Sequence, residues 1–184
     1  MNYYKNINVV GTSASGKSIF SKKLAAKLNV QYIEMDKLFW KPNWVESNNS
    51  EFLPKVEAAI SHDGWVLDGN YSRTSSVKWA KVNTIVWIDY SLSRTVFQAF
   101  KRAIQRILSK KEIWPNTGNV ESFQKTFLSR KSIILWTLQN YHSNRKKYAE
   151  IMKSDKYSHI NFVRLGSPKQ AKEFIAESIL QSAT

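Results

Sequence analysis

The sequence predicts an α/β protein built on a five-stranded parallel sheet with helices on both faces. Three observations carry this. Short apolar runs alternate with segments of helical periodicity. The runs are continuous rather than alternating, as strands are when both faces of a sheet are covered. They end at Gly11, Asp36, Asp68 and Asp89, and ligands in such folds sit beyond the carboxyl ends of the strands.

The elements follow in order. Ile7–Val10 is a strand that stops at Gly11, and Lys17–Leu28 is a helix with a stripe of Ile19, Phe20, Leu24, Ala25 and Leu28. Gln31–Met35 is the second strand, ending at Asp36. Lys37–Asn49 is aromatic and irregular, and Glu51–Ser61 is a helix with Ser50 as N-cap. Trp65–Leu67 and Thr84–Ile88 are the third and fourth strands. Ser91 caps a long helix whose apolar face is Leu92, Val96, Phe100, Ala103, Ile104 and Ile107. Lys110–Val120, with Pro115 and Gly118, reads as a loop, and Glu121 to about Met152 as a helix broken near His142–Asn144. Ile160–Leu165 is the last strand, and Ser167-Pro168 opens a C-terminal helix.

At 184 residues the chain is expected to form one domain, residues 1–184. No apolar run is long enough to span a bilayer, and Met1–Val10 lacks a signal-peptide layout, so the expected location is the cytoplasm. With no cysteine there are no disulfides or thiolate metal sites, and the three histidines show no ligand spacing. The net charge is +14, concentrated between Ser91 and Lys153, where 13 basic and 3 acidic residues give +10. Such a stretch suits a polyphosphate substrate, and equally nucleic acid or a plain solvated face. The oligomeric state has no signature.

The segment Gly11-Thr12-Ser13-Ala14-Ser15-Gly16-Lys17-Ser18 fits the P-loop pattern at every fixed position, with a strand before it and a helix after it, and Ile19 joins these residues as an expected part of the nucleotide site. Glycines let the backbone wrap phosphate oxygens, and the loop amides and helix N-terminus supply donors and positive potential. Lys17 is suited to the β- and γ-phosphates, and the Ser18 hydroxyl to Mg²⁺. The expected cofactors are therefore ATP (or GTP) and Mg²⁺; the guanine signature Asn-Lys-x-Asp is absent.

P-loop enzymes hold Mg²⁺ or its waters with a carboxylate at a neighbouring strand end. Asp68 is preferred over Asp89, because Asp68-Gly69 opens a polar loop that ends at Arg73, whereas Asp89 runs into the next helix. Asp36 is suited to the acceptor, as a binding group or as a base on its hydroxyl. Arg102 and Arg106 lie four apart on one helix face, without acidic partners there, and guanidinium groups suit the charge spread over a transferring phosphoryl group. Residues 108–121 form a lid-like loop between two basic helices. Arg94, Arg130 and Arg145 are further basic candidates, Arg130 for the acceptor.

The stretches Met35-Asp36-Lys37-Leu38-Phe39-Trp40-Lys41-Pro42-Asn43-Trp44 and Trp65-Val66-Leu67-Asp68-Gly69-Asn70-Tyr71-Ser72-Arg73 resemble the bacterial DNA topology modulation proteins, an adenylate-kinase-related P-loop group. The resemblance implies a three-layer, nucleoside-monophosphate-kinase-like P-loop NTPase fold. It implies that Asp68 serves Mg²⁺ and that Arg73 contacts an acceptor phosphate. Adenylate kinases carry Asp-Gly-Phe-Pro-Arg where this chain has Asp68 to Arg73, one residue longer and without proline. Residues 37–61 take the place of the monophosphate-binding region, with Trp40 and Trp44 suited to stacking on a base. The expected function is transfer of the γ-phosphoryl of Mg·ATP to a small acceptor, with a nucleoside monophosphate as the candidate. The alternative is a nucleotide-responsive DNA-binding protein, although the sequence contains no DNA-reading module.

Overall fold

The computed structural model describes residues 4–121 and 133–180. Five strands form one parallel sheet in the order β2-β3-β1-β4-β5: β1 Asn6–Gly11, β2 Gln31–Glu34, β3 Trp65–Asp68, β4 Thr84–Ile88 and β5 Asn161–Leu165. The helices are α1 Lys17–Leu28, α2 Met35–Phe39, α3 Asn49–Ala59, α4 Ser75–Trp79, α5 Leu92–Ser109, α6 Ile133–Met152 and α7 Pro168–Leu180. The register sets Val9 opposite Asp68, and Gly11 opposite Ile88, so the P-loop emerges between the ends of β3 and β4.

Two hydrophobic cores lie on the two faces. On one, Ile7, Val9, Val66, Val86 and Ile88 pack against Phe20, Leu24 and Ala25 of α1 and Ala171 and Phe174 of α7. On the other, Val10, Trp65, Leu67, Ile85 and Trp87 pack against Phe52 and Val56 of α3, Trp79 of α4 and Tyr148 of α6. Strand residues alternate between the faces. This is the three-layer α/β arrangement predicted.

Several local expectations are corrected. β2 ends at Glu34, so Met35 and Asp36 already belong to α2, which runs on to Phe39 in the segment expected to be irregular. The N-cap of α3 is Asn48, not Ser50. Asn48 accepts from the Glu51 amide at 2.9 Å while Glu51 reaches back to the Asn48 amide, a capping box that fixes the start two residues earlier. Ile19 is 67 % exposed. In α5 the buried residues are Thr95, Ala99 and Ala103, while Phe100 and Ile104 face outward. Small side chains let α5 approach the rest of the fold closely, so its larger apolar residues mark a different face. Ser91 caps α5 and Ser167 accepts from the Gln170 amide at 3.2 Å, as expected. α6 runs unbroken through His142–Asn144 and Glu121 is not helical; the rest of the expected helix start lies outside the described residues.

Gly11 has φ +145°, and a Cβ there would sit 2.4 Å from the Ile88 carbonyl oxygen. Backbone on β4 cannot yield. Gly11→Ala is expected to cost about 3 kcal/mol through strain and overlap. Thermal unfolding checks this, with a midpoint about 6–12 °C lower for a chain of this size.

Candidate active site

The P-loop is shaped by backbone conformations that few residues adopt. Gly16 is left-handed at φ 95° and precedes α1, and Ala14 is also left-handed at φ 61°. The Lys17 ammonium folds back to donate to the Thr12 carbonyl at 2.8 Å. The Ser15 hydroxyl is buried with no partner among the described residues, an orphan donor inside a loop suited to anions.

Asp68 shares the α1 face of the sheet with Val66 and is buried. It accepts from the Tyr32 hydroxyl at 3.3 Å, and Ser18 is near enough to pull on its titration. Burial raises the Asp68 pKa against the opposing pull of Lys17 and Ser18. Burial likewise lowers the Lys17 pKa, opposed by Asp68 and Asp36. Burial thus outweighs their mutual attraction and pushes both toward neutrality. Tyr32 is pushed up by burial and by Asp68.

Asp89 is excluded from this cluster by strand alternation. It lies on the Trp87 face, where its Oδ2 accepts from Arg145 Nε at 3.1 Å and Arg164 Nε at 2.8 Å. Arg145 is thereby accounted for as an ion-pair partner. A cavity of about 650 Å³ opens there, lined by Tyr141, His142, Gly166 and Gln170 among others.

The acceptor side is set by α2 and the loop after β3. Asp36 is exposed and accepts from the Tyr71 hydroxyl at 2.6 Å. The Arg73 guanidinium lies 4.5 Å from the Phe39 ring centroid and donates to Asn49 Oδ1 at 3.1 Å. Phe39, Trp40, Trp44, Phe52 and Tyr71 pack edge-on or tilted on one another. Trp40 and Trp44 are thus engaged with each other at 5.5 Å, as parts of a packed wall.

Arg102 and Arg106 project from α5. Arg102 is half-buried; its burial and Arg106 lower its pKa, while Glu121, Asp36 and Asp68 raise it. It therefore shares one electrostatic field with Lys17 and both carboxylates. Arg106 pairs with Glu121 at 2.7 Å, so the expectation of no acidic partner is corrected. That partner lies fifteen residues on in the chain, where helical spacing gives no sign of it. Arg130 lies outside the described residues.

The loop following α5 rests on residues 41–45. The Thr117 carbonyl accepts from the Asn43 amide at 3.1 Å. The fully buried Asn119 accepts from the Trp44 amide at 2.7 Å and donates to the Lys41 carbonyl at 3.0 Å. Trp114 Nε1 donates to Glu34 at 3.1 Å. Asn119→Ala leaves two backbone groups unpaired, a cost of about 1–3 kcal/mol. Limited proteolysis is expected to cut the Lys110-Lys111 region faster in that variant, and an unchanged rate would mean that the docking is weak.

Asn70, Tyr71 and Asn119 were not singled out from the sequence. Asn70 Oδ1 accepts from the Gly11 amide at 3.0 Å and its Nδ2 donates to the Gly11 carbonyl at 2.8 Å. The only signal was their membership of polar loops next to Asp68-Gly69 and Gly118.

No family model matches the chain. The chain is 31% identical over 160 residues to the shikimate kinase of Sulfurihydrogenibium sp. (strain YO3AOP1), covering 78% of this chain and 89% of that protein. Two solved structures share its fold. A gluconokinase from Sinorhizobium meliloti 1021 has a TM-score of 0.52 at 14% identity, covering 98% of this chain and 93% of the other. A shikimate kinase from Acinetobacter baumannii in complex with shikimate has a TM-score of 0.55 at 13% identity, covering 97% and 92%. With a P-loop between β1 and α1, and 31% identity to the Sulfurihydrogenibium protein covering 78% of its length and 89% of that relative, the chain belongs to the shikimate kinase family of P-loop, ATP-dependent kinases.

Proposed function

We propose that this protein transfers the γ-phosphoryl group of Mg·ATP to a hydroxyl of a small polyhydroxylated carboxylic acid of the shikimate or gluconate kind. The observation that carries this reading is the exposed Asp36, held by the Tyr71 hydroxyl at 2.6 Å and acting on Lys17 of the P-loop, with the Arg73 guanidinium over the ring of Phe39 on the same helix. The carboxylate is suited to a hydroxyl, and the guanidinium to a carboxylate. The nucleoside monophosphate expected earlier gives way to a hydroxy acid, in line with the kinases this chain resembles. The packed aromatic wall is consistent with that, because Trp40 is committed to Phe39 and Trp44.

In this reading the P-loop amides, the Ser15 hydroxyl and Lys17 hold the phosphates. Ser18 and Asp68 hold Mg²⁺, which neutralises phosphate charge when bound. Among the described residues no cluster of three acidic, His or Cys side chains forms a metal cage, which fits an ion that keeps waters and phosphate oxygens as ligands. Asp36 orients the acceptor hydroxyl and takes its proton. The new bond runs from that oxygen to the γ-phosphorus, and the bond to the β-phosphate oxygen breaks. Arg102 stabilises the charge on the transferring group, with Arg106 behind it. Residues 108–121 act as a lid over residues 37–61. The nucleoside extends toward the cavity at the ends of β4 and β5.

Calorimetric titration with shikimate, gluconate and AMP, each with Mg·ADP present, tests the acceptor class. Binding of a hydroxy acid and not AMP is expected; AMP binding alone would return the acceptor to the nucleotides. DNA binding has only the net charge of +14 behind it, and added DNA is expected to leave turnover unchanged.

A further inference from the structure

One buried ionisable group has no part in this chemistry. Lys78, on α4, is fully buried. Its Nζ donates to the Asn70 carbonyl at 2.8 Å and the Gly69 carbonyl at 3.3 Å, and lies 4.0 Å from Met35 Sδ and 5.9 Å from the centroid of the Trp79 ring. Among the described residues no carboxylate offsets its charge. The charged group that acts on it is Lys147 of α6, a second cation, which contacts Ser72 of the same loop. Burial, with a smaller push from Lys147, brings the Lys78 pKa down to about 7. An unpaired buried ammonium costs stability, and an apolar side chain of similar length would not.

What the ammonium gathers is the loop that touches both halves of the site. Gly69 takes φ +148°, and a Cβ there would lie 2.8 Å from Met35 Cβ. Its carbonyl also accepts from Asn8 Nδ2 at 3.2 Å, and its amide donates to the Val9 carbonyl at 3.2 Å. The next residue, Asn70, grips Gly11 of the P-loop through both backbone groups. The one after, Tyr71, holds Asp36. With the two carbonyls drawn inward onto Lys78, the Asn70 and Tyr71 side chains are left to face the nucleotide and acceptor sides.

We propose that Lys78 is a positioning residue for phosphoryl transfer, its ammonium fixing the Gly69–Tyr71 turn so that Asn70 shapes the P-loop while Tyr71 holds Asp36. The nucleotide half of this inference rests on the P-loop alone, so a wrong acceptor assignment would not affect its test.

The test is Mg·ADP affinity by calorimetry for the wild type, Lys78→Met, Asn70→Ala and the double variant, each checked for fold by circular dichroism. Lys78→Met is expected to weaken Mg·ADP binding, and to lower kcat/KM, by about 10²-fold, the scale of a roughly 1 Å misplacement in a site. Asn70→Ala is expected to weaken Mg·ADP binding similarly, and the double variant no further, because Lys78 acts through Asn70. In the wild type the ammonium is present below pH 7 and lost above it, so affinity is expected to fall between pH 7 and 9. That fall is expected to flatten in Asn70→Ala. If Lys78→Met fails to fold, the wild-type and Asn70→Ala pH series decides by itself. A folded Lys78→Met with wild-type affinity, or equal pH dependence in the wild type and Asn70→Ala, would overturn the proposal.

Discussion

Lys17→Ala is expected to lower kcat/KM by about 10³-fold, or about 4 kcal/mol of transition-state stabilisation. Lys17 is the cation at the head of the P-loop, and its pKa is shaped by Asp68, Asp36 and Arg102 together. Its ammonium donates to the Thr12 carbonyl at 2.8 Å, a bond within the P-loop itself, so little of the fold depends on it. Thermal unfolding is therefore expected to change little while Mg·ADP affinity drops. A variant that turns over normally would remove the P-loop lysine from the chemistry.

Asp36→Asn produces a different pattern. It keeps the shape of the side chain and a partner for the Tyr71 hydroxyl, which donates to it at 2.6 Å. It cannot accept a proton as a carboxylate does. A fall in kcat of about 10²–10⁴-fold is expected, the usual contribution of a positioned general base. Mg·ADP affinity is expected to be unchanged, because the P-loop is intact. Steady-state kinetics with calorimetry separates the two variants: one loses nucleotide and turnover, the other turnover alone. Equal loss of ADP binding in both would mean that Asp36 belongs to the nucleotide site.

Most of the fold was legible because each strand is a short apolar run ended by a glycine or an acid. The P-loop was legible because its phosphate-binding geometry allows few residues. The choice of Asp68 over Asp89 was made on loop composition. Strand alternation, which loop composition does not reveal, places Asp68 on the α1 face and Asp89 on the face of Trp87 with two arginines. Asp36 was named as a strand end and is the second residue of a helix. Tertiary pairing was not legible. Nothing local links Arg106 to Glu121, Asn119 to the backbone of residues 41–44, or Lys78 to the turn after β3. Trp40 and Trp44 satisfy each other, a contact the sequence does not reveal. No helix among the described residues is long and apolar enough to cross a membrane.

Under the function proposed above, the acceptor is a small hydroxy acid. The most direct measurement is ADP release from Mg·ATP with shikimate, gluconate, AMP or no acceptor, and phosphorus NMR of the product. Release stimulated by a hydroxy acid is expected, with a new phosphate monoester on it and none on AMP. Stimulation by AMP, or slow release that no acceptor changes, would contradict it.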